Sequence, residues 1–224
     1  MKNFLQRIIR LTGFEIHRTN ARHVFWDDDT AFVALFKSVQ HRTAIKEDRA
    51  FMLYQFARYS RTIPGDAAQL GVWKGGSSKI IAQALVGTNK NLILFDTFEG
   101  LPVKENSFSD GRTEFRDTSL EDVQSFLRGE RVTFEQGFFP KTASPYESSR
   151  FSFVYLDADL EESTRAGLEF FFPRLAVGGV IVCDDYGSHY WPGVKKSIDT
   201  FAKQQGVSII RTTGNQCVLI KTNV

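Results

Sequence analysis

The stretch Ala67-Ala68-Gln69-Leu70-Gly71-Val72-Trp73-Lys74-Gly75-Gly76-Ser77-Ser78 reads as a buried strand, a glycine-rich turn and the start of a helix. Ala67 to Val72 is a short apolar run of strand length, and helical patterning follows through Leu85. Glycine lets a backbone approach a ligand closely, and a helix start offers unpaired N–H groups to a carboxylate or phosphate. The stretch is neither G-x-G-x-x-G nor a phosphate loop, since the ending Gly-Lys-Ser/Thr is missing. Taken alone, it would equally serve as a tight turn.

Downstream the same rhythm repeats. Leu92 to Phe95 is a second strand ending in Asp96, and Glu121 to Leu127 a helix before a third strand, Val132 to Phe134. Phe151 to Leu156 is a fourth strand ending at Asp157, and Leu168, Phe172 and Leu175 mark a helix face. Gly178-Gly179 turns into the strand Val180 to Cys183, which ends at Asp184-Asp185. Val194, Ile198 and Phe201 space out a last helix, and Val207 to Ile210 with Gln216 to Ile220 close the chain as an antiparallel pair. This alternation predicts an α/β, doubly wound, mostly parallel seven-stranded sheet covered on both faces.

Upstream, residues 1–62 read as a helical segment and residues 63–224 as the α/β domain. Ala31, Phe32, Leu35, Phe36 and Val39 recur at helical spacing behind a candidate N-cap, Asp29. Phe51, Leu53, Tyr54, Phe56 and Ala57 follow until the stop signal Ile63-Pro64-Gly65. Lys2, Arg7 and Arg10 interrupt the apolar residues of Met1 to Arg18, so that segment is neither a signal peptide nor a membrane span. It reads as a helix packing on its own domain or on a partner, with peripheral membrane contact as the alternative. The net charge of +2 gives no field for nucleic acid. Two cysteines, Cys183 and Cys217, form neither a disulfide framework nor a zinc set, which points to a reduced, cytoplasmic protein. No strong oligomer signal is present; a homodimer would form through the helical segment.

In doubly wound sheets, ligands bind outside the carboxyl ends of the strands. Asp96, Asp157, Asp184 and Asp185 all fall at such ends, and turn propensity alone explains one of them better than four. Asp96 is placed to accept hydrogen bonds from ribose hydroxyls. With no pyrophosphate fingerprint beside it, a cofactor with ribose but no phosphates is expected, and S-adenosylmethionine fits. Asp157, Asp159, Asp184 and Asp185 would repel one another in one cleft unless a cation is bound, and oxygen-only ligands suit Mg2+.

The runs Gly71-Val72-Trp73-Lys74-Gly75-Gly76-Ser77, Phe95-Asp96-Thr97-Phe98-Glu99-Gly100-Leu101-Pro102, Leu156-Asp157-Ala158-Asp159-Leu160-Glu161-Glu162-Ser163-Thr164 and Asp184-Asp185-Tyr186-Gly187 resemble the macrocin O-methyltransferase (TylF-type) family of class I, Rossmann-like methyltransferases. The resemblance implies Mg2+-assisted methylation of a sugar hydroxyl, on a glycosylated metabolite or a surface glycan. It implies that Gly71, Val72, Trp73, Gly75, Ser77 and Ser78 wrap the methionine part of the cofactor and that Asp96 holds its ribose. Gly137 and Phe138 would lie near the adenine, and Asp157, Asp184 and Asp185 would bind Mg2+. Asp157 is then the first candidate base, with Asp159 and His189 in reserve, while Tyr186, Tyr190 and Trp191 are candidates to stack on a sugar. Where the family usually has Glu, this chain has Gln69, which would weaken cofactor binding. Leu160 stands where catechol-type enzymes carry a base lysine. His17, His23 and His41 have no metal-like spacing and receive no role. The competing expectations are an NAD-dependent oxidoreductase, a metal-dependent hydrolase, and a non-catalytic cofactor- or glycan-binding protein.

Overall fold

The computed structural model describes residues 24–101 and 115–222, so the expectations for Met1 to Arg18, and for His17 and His23, lie outside the described residues. Two helices come first, α1 (Thr30–Val39) and α2 (Glu47–Tyr59). Strand β1 (Asp66–Leu70) leads into α3 (Gly76–Ala84), and β2 (Leu92–Asp96), α4 (Leu120–Phe126) and β3 (Val132–Gln136) follow. Next come β4 (Phe151–Leu156), α5 (Glu161–Arg174), β5 (Leu175–Cys183), α6 (Pro192–Gln205), β6 (Ile209–Arg211) and β7 (Cys217–Ile220).

The seven strands form one sheet in the order β3-β2-β1-β4-β5-β7-β6. β1 runs parallel to β2 and β4, while β7 is antiparallel to both β5 and β6. The winding reverses between β1 and β4, the neighbours at the centre of the sheet, and the crevice of a doubly wound fold opens there.

Both faces of the sheet are covered. On one, Phe32, Leu53, Ile80 and Ile81 of the first three helices pack on Leu94, Phe153 and Val182 in a continuous core. On the other, Leu168 and Phe171 of α5 and Val194 and Ile198 of α6 pack on Val154 and Ile181. Each such side chain contributes roughly 1.5–3 kcal/mol relative to leaving it exposed. The helices α1 and α2 thus share a core with the sheet. Asp29 caps α1 as expected, its Oδ1 accepting from the Phe32 N–H at 2.9 Å.

Several boundaries differ from expectation, by one or two residues in α4, β3 and β7, and Leu175, expected on a helix face, instead opens β5. β1 ends at Leu70, which releases Gly71 and Val72 into the loop. β5 begins at Leu175, five residues before Val180, and keeps Gly178-Gly179 inside the strand. The Gly178 N–H donates to the Lys221 carbonyl at 2.7 Å and the Lys221 N–H to the Gly179 carbonyl at 3.0 Å, so pairing with β7 holds the glycines in the sheet. The sixth strand begins at Ile209 instead of Val207. Cys183 and Cys217 face each other across β5 and β7 as buried free thiols. No helix among the described residues is long and apolar enough to cross a membrane.

Candidate functional site

A cavity of ≈ 490 Å³ lies over the carboxyl ends of β1, β2, β4 and β5. Its wall brings Gly71, Val72 and Trp73 together with Asp96, Gly137 and Phe138 at one end. Asp157, Asp159, Asp184 and Asp185 form an acidic end that begins right beside Gly71, with Tyr190 and Trp191 also lining the cavity and residues 42–46 and Arg49 from the helical segment completing the wall.

The glycine turn is built as much by the protein as for a ligand. A Cβ on Gly71 would stand 1.9 Å from the Asp157 carbonyl oxygen, and the residue has φ +88°. This lets the ends of β1 and β4 lie side by side, where the Asp157 N–H donates to the Leu70 carbonyl at 2.9 Å. A Cβ on Gly76 would meet the Arg42 carbonyl at 2.5 Å, and the Gly76 N–H donates to that oxygen. Asp96 holds the same loop: its Oδ2 accepts from the Val72 N–H at 2.6 Å and the Trp73 N–H at 3.0 Å, and its Oδ1 from the Phe98 N–H at 2.7 Å. The carboxylate has lone pairs left for further donors on the cavity side.

Gln69 is fully buried. Its Nε2 donates to the Gly71 carbonyl at 2.7 Å and to Ser77 Oγ at 2.9 Å, while its Oε1 accepts from Ser78 Oγ at 2.9 Å. An amide supplies both donors and an acceptor for this trio, which an ionised Glu would not. Its role here is to lock the turn to the first residues of α3.

The acidic end has a geometry of its own. One ligand oxygen from each of Asp157, Asp184 and Asp185 lies within 4.8 Å of the others. Burial, then the neighbouring Asp184, pushes the Asp157 carboxyl well above its ordinary range; burial, then Asp185, does the same to Asp159. Asp184 is pushed up to about 7 by burial, against the pull of Arg49. Arg49 of α2 donates to Asp184 Oδ2 at 2.6 Å and lies 3.9 Å from Asp185 Oδ1. The other oxygen, Asp184 Oδ1, is buried and makes no hydrogen bond of ordinary geometry, with the Gln216 side chain close to the carboxylate. Three converging carboxylates, one with an oxygen outside any ordinary hydrogen bond, fit an oxygen-preferring divalent cation.

Of the five non-glycine residues with positive φ among the described residues, Trp73, Phe115, Asp159 and Asp185 line the cavity. Phe98, just beyond Asp96, is the fifth. Such residues cluster where surrounding structure holds the chain against its local preference.

Four sequence candidates do not reach the cavity wall. Gly75 points its absent side chain at Val123 of α4, and its left-handed φ of +81° suits the N-cap of α3. Ser78 is buried on Gln69. His189 is exposed on the loop beside the cavity, whereas its neighbours Ser188, Tyr190 and Trp191 line it. Tyr186 packs in the second core and donates its hydroxyl to Asp199 at 2.7 Å. Arg49 and residues 42–46 were not legible as site residues, since nothing in a helical pattern marks which polar position will face a cleft made by distant strands.

The family model for macrocin-O-methyltransferase (TylF) matches residues 55–220. The 8-demethyl-8-(2,3-dimethoxy-alpha-L-rhamnosyl)-tetracenomycin-C 4'-O-methyltransferase of Streptomyces olivaceus is 35% identical over 141 residues, 55% of this chain and 54% of that protein. The demethyldecarbamoylnovobiocin O-methyltransferase of Streptomyces niveus is 28% identical over 155 residues, 62% of this chain and 58% of that one. The chain therefore matches little more than half the length of these relatives. The solved structure of the O-methyltransferase NovP shares the fold, with a TM-score of 0.69 and 24% identity over 81% of this chain and 83% of that one.

Proposed function

Because the chain belongs to the macrocin-O-methyltransferase (TylF) family, we propose that it is an S-adenosylmethionine-dependent O-methyltransferase that methylates a sugar hydroxyl with the help of Mg2+. The observation that carries this reading is a single cavity holding both the glycine turn with Asp96 and the Asp157–Asp184–Asp185 group. One named relative is a methyltransferase of a rhamnosyl-tetracenomycin, which makes the sugar of a glycosylated metabolite the first acceptor to try and a surface glycan the second.

S-adenosylmethionine supplies a methyl group already activated by sulfonium, so the protein's work is alignment and proton removal. Mg2+ bound by Asp157, Asp184 and Asp185 would lower the pKa of an acceptor hydroxyl and fix its position. The backbone of Gly71 to Trp73, pinned by Asp96, bounds the methionine end, and Asp96 keeps acceptor capacity for ribose hydroxyls. Gly137 and Phe138 flank the space left for adenine. The Asp157 carboxylate takes the hydroxyl proton, with Asp159 beside it as the second acceptor. Tyr190 and Trp191 offer flat apolar surfaces to the ring face of a sugar. Nothing in the site favours a dinucleotide or a hydrolytic water over this arrangement. The convergence of the carboxylates in the same cavity as the glycine turn favours catalysis over a purely binding role.

Incubating the protein with S-adenosylmethionine, Mg2+ and a panel of deoxysugar-bearing acceptors should yield S-adenosylhomocysteine together with a methylated product. Chelation should stop the reaction and Mg2+ restore it. Turnover that chelation leaves intact would remove the metal from the reading. Binding of S-adenosylhomocysteine without turnover on any glycoside would return it to the non-catalytic alternative.

A further inference from the structure

The feature that the proposed mechanism does not use is Arg49. It reaches from α2 across the cavity floor, is itself largely buried, and its guanidinium sits on one oxygen of Asp184 at 2.6 Å with Asp185 3.9 Å away. Both carboxylates belong to the group whose oxygens converge within 4.8 Å. The tie is fixed from both sides. A Cβ on Gly214, in the turn between β6 and β7, would lie 2.7 Å from Arg49 Cγ, so that turn packs directly on the arginine stem. One residue earlier, Thr213 Oγ1 donates to the carbonyl of Asp48, the neighbour of Arg49, at 3.4 Å. Arg49 is therefore clamped between the turn and the sheet.

We propose that Arg49 is a built-in counter-ion that holds the acidic group together without a metal and, by its positive charge, keeps divalent-cation binding weak and exchangeable. The inference rests on the cation site proposed above. A guanidinium cannot be deprotonated in a protein, so its charge is present whether or not a divalent ion arrives. It neutralises part of the carboxylate repulsion that would otherwise make the empty site costly. The same charge repels an incoming cation at short range and in low dielectric. It engages Oδ2 of Asp184, while Oδ1, buried beside the Gln216 side chain, makes no hydrogen bond of ordinary geometry, so the carboxylate keeps acceptor capacity that the arginine does not use. Arg49 acts through Asp184 and is thus a positioning residue, distinct from the group that takes the proton.

A residue of merely structural importance would weaken metal binding when removed; a competing counter-ion would strengthen it. The test is Mn2+ binding to chelator-stripped protein, followed by the electron paramagnetic resonance of the free ion, for wild type, Arg49→Met and Arg49→Lys. Arg49→Met should bind Mn2+ at least tenfold more tightly than wild type, with Arg49→Lys between them because the shorter ammonium withdraws from Asp184. Both variants should unfold at lower temperature without metal and regain the difference when Mn2+ is added. Equal or weaker Mn2+ binding by Arg49→Met overturns the proposal, and if that variant does not fold, a lack of tightening in Arg49→Lys does so. If wild type binds no Mn2+ and Arg49→Met does, the counter-ion role stands and the metal-assisted reading of the wild-type reaction falls. If none of the three binds the ion, both fall.

Discussion

At the scale of single residues, the two positions that hold the glycine turn carry the sharpest expectations. Gly71→Ala would force a Cβ into the Asp157 carbonyl and a left-handed φ on alanine. It should cost about 3 kcal/mol or more of unfolding free energy, since strain and a separated strand pair add together. A loss under about 1 kcal/mol in urea titration would show that the ends of β1 and β4 yield easily. Gln69→Leu would strip partners from the Gly71 carbonyl and both serine hydroxyls. It should destabilise by about 2 kcal/mol or more and weaken S-adenosylhomocysteine binding measured by calorimetry. Only the resemblance to the family marked Gln69 as unusual, and it could not show that its partners in the folded chain are neutral hydroxyls and a carbonyl. Asp96 was legible as a site residue because a carboxylate ends a strand. Its three backbone donors were not, since they depend on the path of the loop.

At the scale of elements, the strand-to-helix alternation was readable because apolar runs of strand length alternate with helical spacing. Gly178-Gly179 misled because glycine pairs signal turns locally, whereas pairing with Lys221 keeps these two in β5. The placement of α1 and α2 was out of reach for a different reason. An amphipathic pattern says that a helix has a buried face, not which surface it will meet. Their packing on the sheet explains how residues 42–46 come to wall the cavity. The stability of this pair can be probed at its start. Asp29→Ala removes the Oδ1 acceptor for the Phe32 N–H and should cost about 1 kcal/mol in denaturant unfolding. No measurable loss would mean that α1 frays before the rest of the protein unfolds.

At the scale of the whole molecule, the acidic end couples stability to pH and to cations. A carboxyl whose folded pKa is raised binds more protons in the native state than when unfolded, so stability from it falls as pH rises. Asp184, pushed up to about 7, and Asp157 and Asp159, pushed up by burial, all act in this direction. Their combined contribution to the metal-free protein should decline from about pH 4 upward, through about 7 for Asp184. Mg2+ requires ionised ligands, so the rise in melting temperature on adding it should be larger at about pH 7.5 than at about pH 5.5. Asp184→Asn should flatten that difference, and a pH-independent Mg2+ effect in scanning calorimetry would contradict the assignment of these carboxylates as ligands. The left-handed residues around the cavity bear on a different question, that of how the protein can change. Trp73 and Phe115 hold conformations that cost a side chain about 1 kcal/mol or more and cost glycine almost nothing. Selection for heat resistance would therefore find some of its easiest gains at the mouth of the site, where each would slacken a wall that recognition depends on. Robustness and selectivity are drawn from the same few positions in this chain, and a lineage improving one would be expected to surrender some of the other.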